Sequence, residues 1–185
     1  MRRGALALLL ALLLALAACA KPPEDPPVPP APPAEEEPLS LAALAVEFAV
    51  DGRDADTLLA LQKAFPAALT DALAAREVTV ETVTVTFGTS GEATEIAVES
   101  GAVQLAFLNA ADYLAYRSGD VVALAGGGDA ERPDLLLAGA SVDPRLAEAL
   151  RDALPDLAPT LAGYAPAVGG VYVWDEAAAA ALVEP

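Results

Sequence analysis

Apolar residues fall along this chain in blocks whose spacing changes from segment to segment, and the spacing is the first guide to its elements. Leu44 to Val50 reads as a strand. Asp54 is then placed to cap a helix in which Leu58, Leu61, Phe65, Leu69 and Leu73 recur at three- and four-residue intervals, the period of one helix face. Pro66 inside it has no N–H, and its ring crowds the preceding turn, so a kink or a split in two is expected there. Val78 to Phe87 alternates as a strand with a slipped phase. Val78 and Val80 share one face, while Val83, Val85 and Phe87 share the other. A bulge near Glu81 and Thr82 would bring both sets to one side.

Beyond Gly88-Thr89-Ser90-Gly91-Glu92 the pattern predicts a short helix to about Ser100, a strand from Val103 to Leu108, and a helix from Ala110 to Arg117. Two further apolar runs follow, Val121 to Ala125 and Leu135 to Ala138. A helix from Pro144 to Leu154, capped by Asp143, puts Leu146, Leu150 and Leu154 on one face. After it Pro155, Pro159 and Pro166 weaken the pattern, before Val171-Tyr172-Val173-Trp174 and an alanine-rich terminal helix. Short uninterrupted apolar strands separated by helices are what a parallel sheet covered on both faces requires. The expected fold is therefore an α/β domain of three layers, α/β/α, with a mostly parallel sheet.

The first 38 residues do not share this pattern. Arg2 and Arg3 precede an apolar run from Gly4 to Ala18, which closes on Leu16-Ala17-Ala18-Cys19. This is the layout of a secretory signal, and the run is short for a membrane span of about 20 residues. The tetrapeptide resembles a bacterial lipobox, which implies cleavage before Cys19 and a lipid on its sulfur. Residues 22 to 38 then hold nine prolines in seventeen positions, with acids at Glu24, Asp25, Glu35, Glu36 and Glu37. Such density favours an extended tether, on the order of 50 Å at about 3.1 Å per residue. The expected organisation is a signal peptide over 1–18, a lipidated cysteine with an acidic linker over 19–38, and one domain over 39–185. The chain would stand on the outer side of a bacterial membrane.

Composition narrows the chemistry. Residues 39–185 carry 22 Asp or Glu and 7 Lys or Arg, a balance of −15. That surface repels nucleic-acid phosphates. Histidine is absent, which removes the commonest general base and metal ligand, and with it any Ser-His-Asp or Cys-His site. Cys19 is the one cysteine, so no intramolecular disulfide exists. Asp51, Asp54 and Asp56 lack the ligand register, turn glycine and closing glutamate of a calcium loop, and helix capping is their expected role. No nucleophile, base or metal set emerges; the chain is read as a non-enzyme without cofactor or metal.

In an open α/β sheet, ligands settle outside the carboxyl ends of the strands, where helix N-termini point. Three such ends are legible: Asp51 to Asp54, Gly88 to Gly91, and Asn109 to Asp112. The glycines at 88 and 91 allow close approach, the following helix offers free N–H groups to an anion, and Thr89 and Ser90 add hydroxyls. The same residues also form a capping box, with Thr89 as cap and Glu92 three positions on. Asn109 is equally a ligand-facing amide or a helix cap, and Tyr113 on the next turn a ligand contact or a packing residue.

The run Glu99-Ser100-Gly101-Ala102-Val103-Gln104-Leu105-Ala106-Phe107-Leu108-Asn109, with Tyr113 after it, resembles a stretch of the phosphate, phosphite and phosphonate-binding proteins of ABC importers, which have the type II periplasmic binding protein fold. The likeness covers Leu44 to Ala125 and resumes at Leu135 to Leu154, where family members return to their first lobe. Gln104 replaces a usual aspartate, and Asn109-Ala110 a usual glycine-proline. By this resemblance Thr89, Ser90, Asn109 and Tyr113 form the first-lobe half of an oxyanion site. The second lobe would have to fit between Gly126 and Pro133, which is room for a loop. Two functions follow as expectations: a lipid-anchored solute-binding protein delivering a phosphonate-like anion to a permease, or a one-lobed, non-transporting descendant that holds a protein partner or acts as a sensor in the envelope.

Overall fold

Eleven elements account for most of the residues described in the computed structural model, which are 37–129 and 132–165. Cys19, the expected signal, the expected tether as far as residue 36, Val171 to Trp174 and the alanine-rich terminus lie outside them. In chain order the elements are β1 (Leu39–Leu41), β2 (Leu44–Ala49), α1 (Ala55–Ala74), β3 (Val78–Val80), β4 (Val83–Gly88), α2 (Gly91–Glu99), β5 (Leu105–Asn109), α3 (Ala110–Tyr116), β6 (Val121–Asp129), β7 (Arg132–Gly139) and α4 (Pro144–Leu161). All of them belong to one unit that starts at Glu37.

Five strands form the main sheet in the order β4-β2-β5-β7-β6. β2 pairs in parallel with β4 and with β5, so the half of the sheet that carries the three candidate strand ends is parallel. The other half is a hairpin: β7 runs antiparallel to both β5 and β6. Residues 126 to 133, expected as a loop, are thus largely ladder: Gly126 pairs with Leu135, Gly127 with Asp134 and Asp129 with Arg132.

The phase slip over Val78 to Phe87 is resolved as expected. β3 and β4 are separated at Glu81 and Thr82, and the same break recurs between β1 and β2, which pair with them in parallel. Glu81 N–H donates to Leu41 O at 2.9 Å and Leu44 N–H to Thr82 O at 2.9 Å, so the backbone stays bonded through both breaks. Val78, Val80 and Val85 consequently reach one core.

That core lies between the sheet and the pair α1 and α4. Phe48 and Phe107 stack there at 4.6 Å, with Phe65 edge-on to Phe48 at 5.0 Å and Tyr164 edge-on to Phe48 at 4.9 Å. Such aromatic contacts each add about 0.5–1.5 kcal/mol beyond the area they bury. α2 and α3 cover the opposite face, where Ala49, Val98, Ala106, Leu108, Tyr113 and Leu137 close together. The three layers are as the hydrophobic pattern predicts.

Two proline readings are corrected. α1 runs unbroken through Pro66, and Thr70 Oγ1 donates to the Pro66 carbonyl at 2.9 Å. α4 continues past Leu154 through Pro155 and Pro159 to Leu161. Leu150, Leu154, Leu157 and Leu161 are all buried while both prolines are exposed. The apolar stripe holds the helix to the sheet, and the lost N–H groups face water, which blunts the usual penalty.

Candidate functional site

The carboxyl ends of β2, β4 and β5 gather along one rim. Val50, Asp51, Gly52, Thr89, Ser90, Gly91, Glu92, Asp112 and Tyr116 line an open depression of about 290 Å³ there. β2 leaves the sheet by a tight reversal in which Asp51 (φ 41°) and Gly52 (φ 73°) both adopt left-handed backbone. Aspartate is among the few side chains that tolerate this. Arg53 N–H closes the turn on Val50 O at 2.9 Å, and Asp54 caps α1 by accepting from Thr57 N at 2.9 Å and Thr57 Oγ1 at 2.7 Å. Those bonds favour the carboxylate and hold Asp54 below its ordinary pKa.

At the end of β4 the cap of α2 is Ser90, whose Oγ accepts from Ala93 N at 3.2 Å. The expected capping box on Thr89 and Glu92 is not formed: the cap falls one residue later, and the third position from it is Ala93, which has no side-chain acceptor. Thr89 lies before the helix, on the wall of the depression. Gly91 opens α2, and a side chain there would put its first carbon 2.2 Å from Asp112 Oδ2. Only glycine fits beneath that carboxylate.

Asn109 is 3% exposed and works as a cap: its Oδ1 accepts from Asp112 N at 2.9 Å. Its Nδ2 donates to Asp112 Oδ2 at 2.7 Å and to Asp51 Oδ2 at 3.0 Å. The amide stitches the tips of β2, β5 and α3 together beneath the rim, and it does not line the depression. Tyr113 is buried in the core on the α2–α3 side of the sheet, with the Arg117 guanidinium 5.9 Å from its ring. Of the four candidate ligand residues, then, Thr89 and Ser90 share the depression, Asn109 supports its floor and Tyr113 packs away from it.

Electrostatics set what the rim can hold. Asp51, Glu92 and Asp112 all line it, and none of the described residues that line it is basic. Arg53, which follows Gly52, pairs with the rim's Asp51 and with groups beyond it. Its Nη2 meets Asp134 Oδ1 at 2.7 Å, its Nη1 meets Asp51 Oδ2 at 3.3 Å, its Nε donates to Tyr164 O at 2.9 Å, and its plane covers the Tyr164 ring at 3.8 Å. Burial opposes this charge, but Tyr164, Asp134 and Asp51 outweigh it and keep the guanidinium above its ordinary value. The Tyr164 hydroxyl lies 2.7 Å from Ala49 O and 3.0 Å from Phe107 O, and burial raises its pKa well above the usual phenol range.

Sequence reasoning did not find Arg53, Asp134 or Tyr164. Arg53 lies 81 positions from Asp134 and 111 from Tyr164 along the chain, and no local spacing marks them. Among the described residues no cluster of three or more acidic, histidine or cysteine side chains is arranged to hold a metal, and no helix is long and apolar enough to cross a membrane. No protein-family model matches the chain, and no curated protein matches it.

Proposed function

We propose that this chain is an exported, lipid-anchored envelope protein whose single α/β lobe holds a protein partner at the carboxyl-end rim of its sheet and performs no chemistry of its own. The observation that carries the reading is the Asp112 carboxylate seated against Gly91 at the first turn of α2. That is the position an incoming oxyanion would need, next to the free N–H groups and favourable dipole of the helix. With Asp51 and Glu92 on the same wall, an anion would desolvate against carboxylates, and their repulsion grows as water is excluded. β6 and β7 pair directly where, by the resemblance, a receptor would leave for its second lobe, and nothing among the described residues closes over the rim. An open, acidic surface suits a partner presenting Lys or Arg, whose approach it would steer. Lipidation at Cys19 would fix the anchor.

The importer reading retains one specific support, since Thr89 and Ser90 do line the depression beside the start of α2. One experiment separates the two. The full chain is titrated with phosphate, phosphite and methylphosphonate to millimolar levels while its melting temperature is followed, and a photo-crosslinking residue is placed at Thr89 or, as a control, at Glu148 on the exposed side of α4. The partner reading expects no thermal shift with any anion and a discrete cross-linked protein from position 89 alone. Saturable stabilisation by one anion would favour the importer, and identical cross-linking from both positions would remove the partner.

A further inference from the structure

β4 is the last strand on its side of the sheet, and among the described residues no strand pairs with its outer edge. The direction of its backbone groups follows from the ladder. Leu44 N–H donates to Thr82 O and Val50 N–H to Gly88 O, both at 2.9 Å. Backbone groups alternate in direction along a strand, so the even-numbered residues of β4 turn toward β2. Val83, Val85 and Phe87 therefore direct both N–H and C=O outward.

Proteins ordinarily guard such an edge with lysine, proline, an inward charge or a covering loop. Over Val83–Gly88 there is no charged residue and no proline, in a chain of net charge −17. The flank is also uncharged: Leu58, Leu59, Gln62 and Pro66 lie on the side of α1 opposite Thr57, Ala60 and Ala64, which face α4. Leu59 is 61% exposed.

We propose that two copies of this chain join through β4, antiparallel about a twofold axis at Val85, so that the sheet continues from one copy into the other. The sequence of the strand is self-complementary in that register. Val85 opposes Val85, and Val83 opposes Phe87, which pairs every outward N–H with an outward C=O. Axes at neighbouring positions leave one of the three residues unmatched or push it against the bulge at Glu81. On the face away from α1, Thr84 meets Thr86 of the partner subunit as a close, non-hydrogen-bonded pair, a cross-strand combination that contributes favourably. No carboxylate of β4 is brought against another, which is why a second copy fits where most of this acidic surface would repel it. The pairing uses a lateral edge and is independent of what the rim binds.

The full-length chain tests it. Thr84→Cys and Thr86→Cys together should form an intermolecular disulfide, because opposed residues of a close pair sit about 4.5 Å apart at Cα, within disulfide reach. Either substitution alone should not, since like positions are offset by two residues, to about 7–8 Å; the single variants also control for Cys19. Light scattering should give twice the chain mass for the unmodified protein. Thr84→Lys with Thr86→Lys opposes like charges and should halve that mass while the circular dichroism stays that of the folded chain; the melting temperature should fall only by the stabilisation that association supplies. A monomer mass with no disulfide in the double-cysteine variant overturns the proposal. So does equal cross-linking by the single variants, capture of a different protein at this edge, or a dimer that survives the paired lysines.

Discussion

Asn109 shows how one side chain can satisfy a sequence signal and leave its larger role invisible. As the first residue before α3 it is legible as a cap, and it is one. What the sequence does not display is that its Nδ2 stands between Asp112 and Asp51, 58 positions away, donating to a carboxylate oxygen of each. Asn109→Asp keeps a good capping oxygen and removes the donor, leaving three carboxylates converging on one buried point. The loss at pH 7.5 is expected to be about 3 kcal/mol, the scale of an uncompensated buried charge. Part of it should return in acid, where the introduced carboxyl can take up a proton. Asn109→Ala loses the cap and the bridge together, and its deficit should not vary with pH in that way. Urea titrations of the two variants at pH 7.5 and in acid check the difference. The ligand roles expected for Asn109 and Tyr113 rest on the same ambiguity between a residue near a strand end and one that faces out from it. Burial decides this, and burial comes from elements far apart in the chain.

Elements are legible where one period rules a whole segment. The stripe of α1, the slipped alternation across β3 and β4 and the caps at Asp54 and Asp143 all follow from spacing. Misreadings fall where tertiary packing overrides a local rule. α4 tolerates two prolines because its leucines are held by the sheet, and 126–133 becomes a hairpin because β5 offers an edge for β7. The segment after α4 is held in part by the Tyr164 hydroxyl, which lies against the Ala49 carbonyl at the end of β2 and the Phe107 carbonyl in the middle of β5. Tyr164→Phe preserves the stacked ring and the surface beneath Arg53 while deleting that contact. A loss of about 1–2 kcal/mol is expected, the cost of leaving buried carbonyls short of a donor. Hydrogen exchange should quicken at residues 161–165, at the end of β2 and around Phe107 of β5, and stay unchanged in β6 and β7. Uniformly faster exchange would mean that the hydroxyl supports the whole fold and does not pin one element.

At the scale of the molecule the governing quantity is charge. A domain with 22 acidic and 7 basic residues repels itself in its compact state, and one buried acid adds to this. Glu95 is 1% exposed; burial raises its pKa above the ordinary 4.5, the Ser118 N–H bond pulls the other way, and Glu99 nearby adds to the rise. A carboxyl whose pKa is higher folded than unfolded binds its proton more tightly in the native state. Its contribution is therefore full below its ordinary pKa and is lost as pH rises through the raised value. Asp54 and Asp143 have the opposite sign, with pKa values lowered by hydrogen bonds to Thr57 and to Arg145. Their contributions stand above their ordinary 3.8 and fall away only in stronger acid, so they are constant between pH 5.5 and 8. Within that window surface repulsion and the burial of Glu95 have the same sign, and the melting temperature should be lower at pH 8 than at pH 5.5. Glu95→Gln keeps an oxygen for the Ser118 N–H and carries no charge. It should raise the melting temperature at pH 8 and flatten the dependence, while added salt, which screens exposed charges and leaves a buried one nearly untouched, should flatten only the remainder. A profile that Glu95→Gln leaves unaltered would assign the whole effect to the surface.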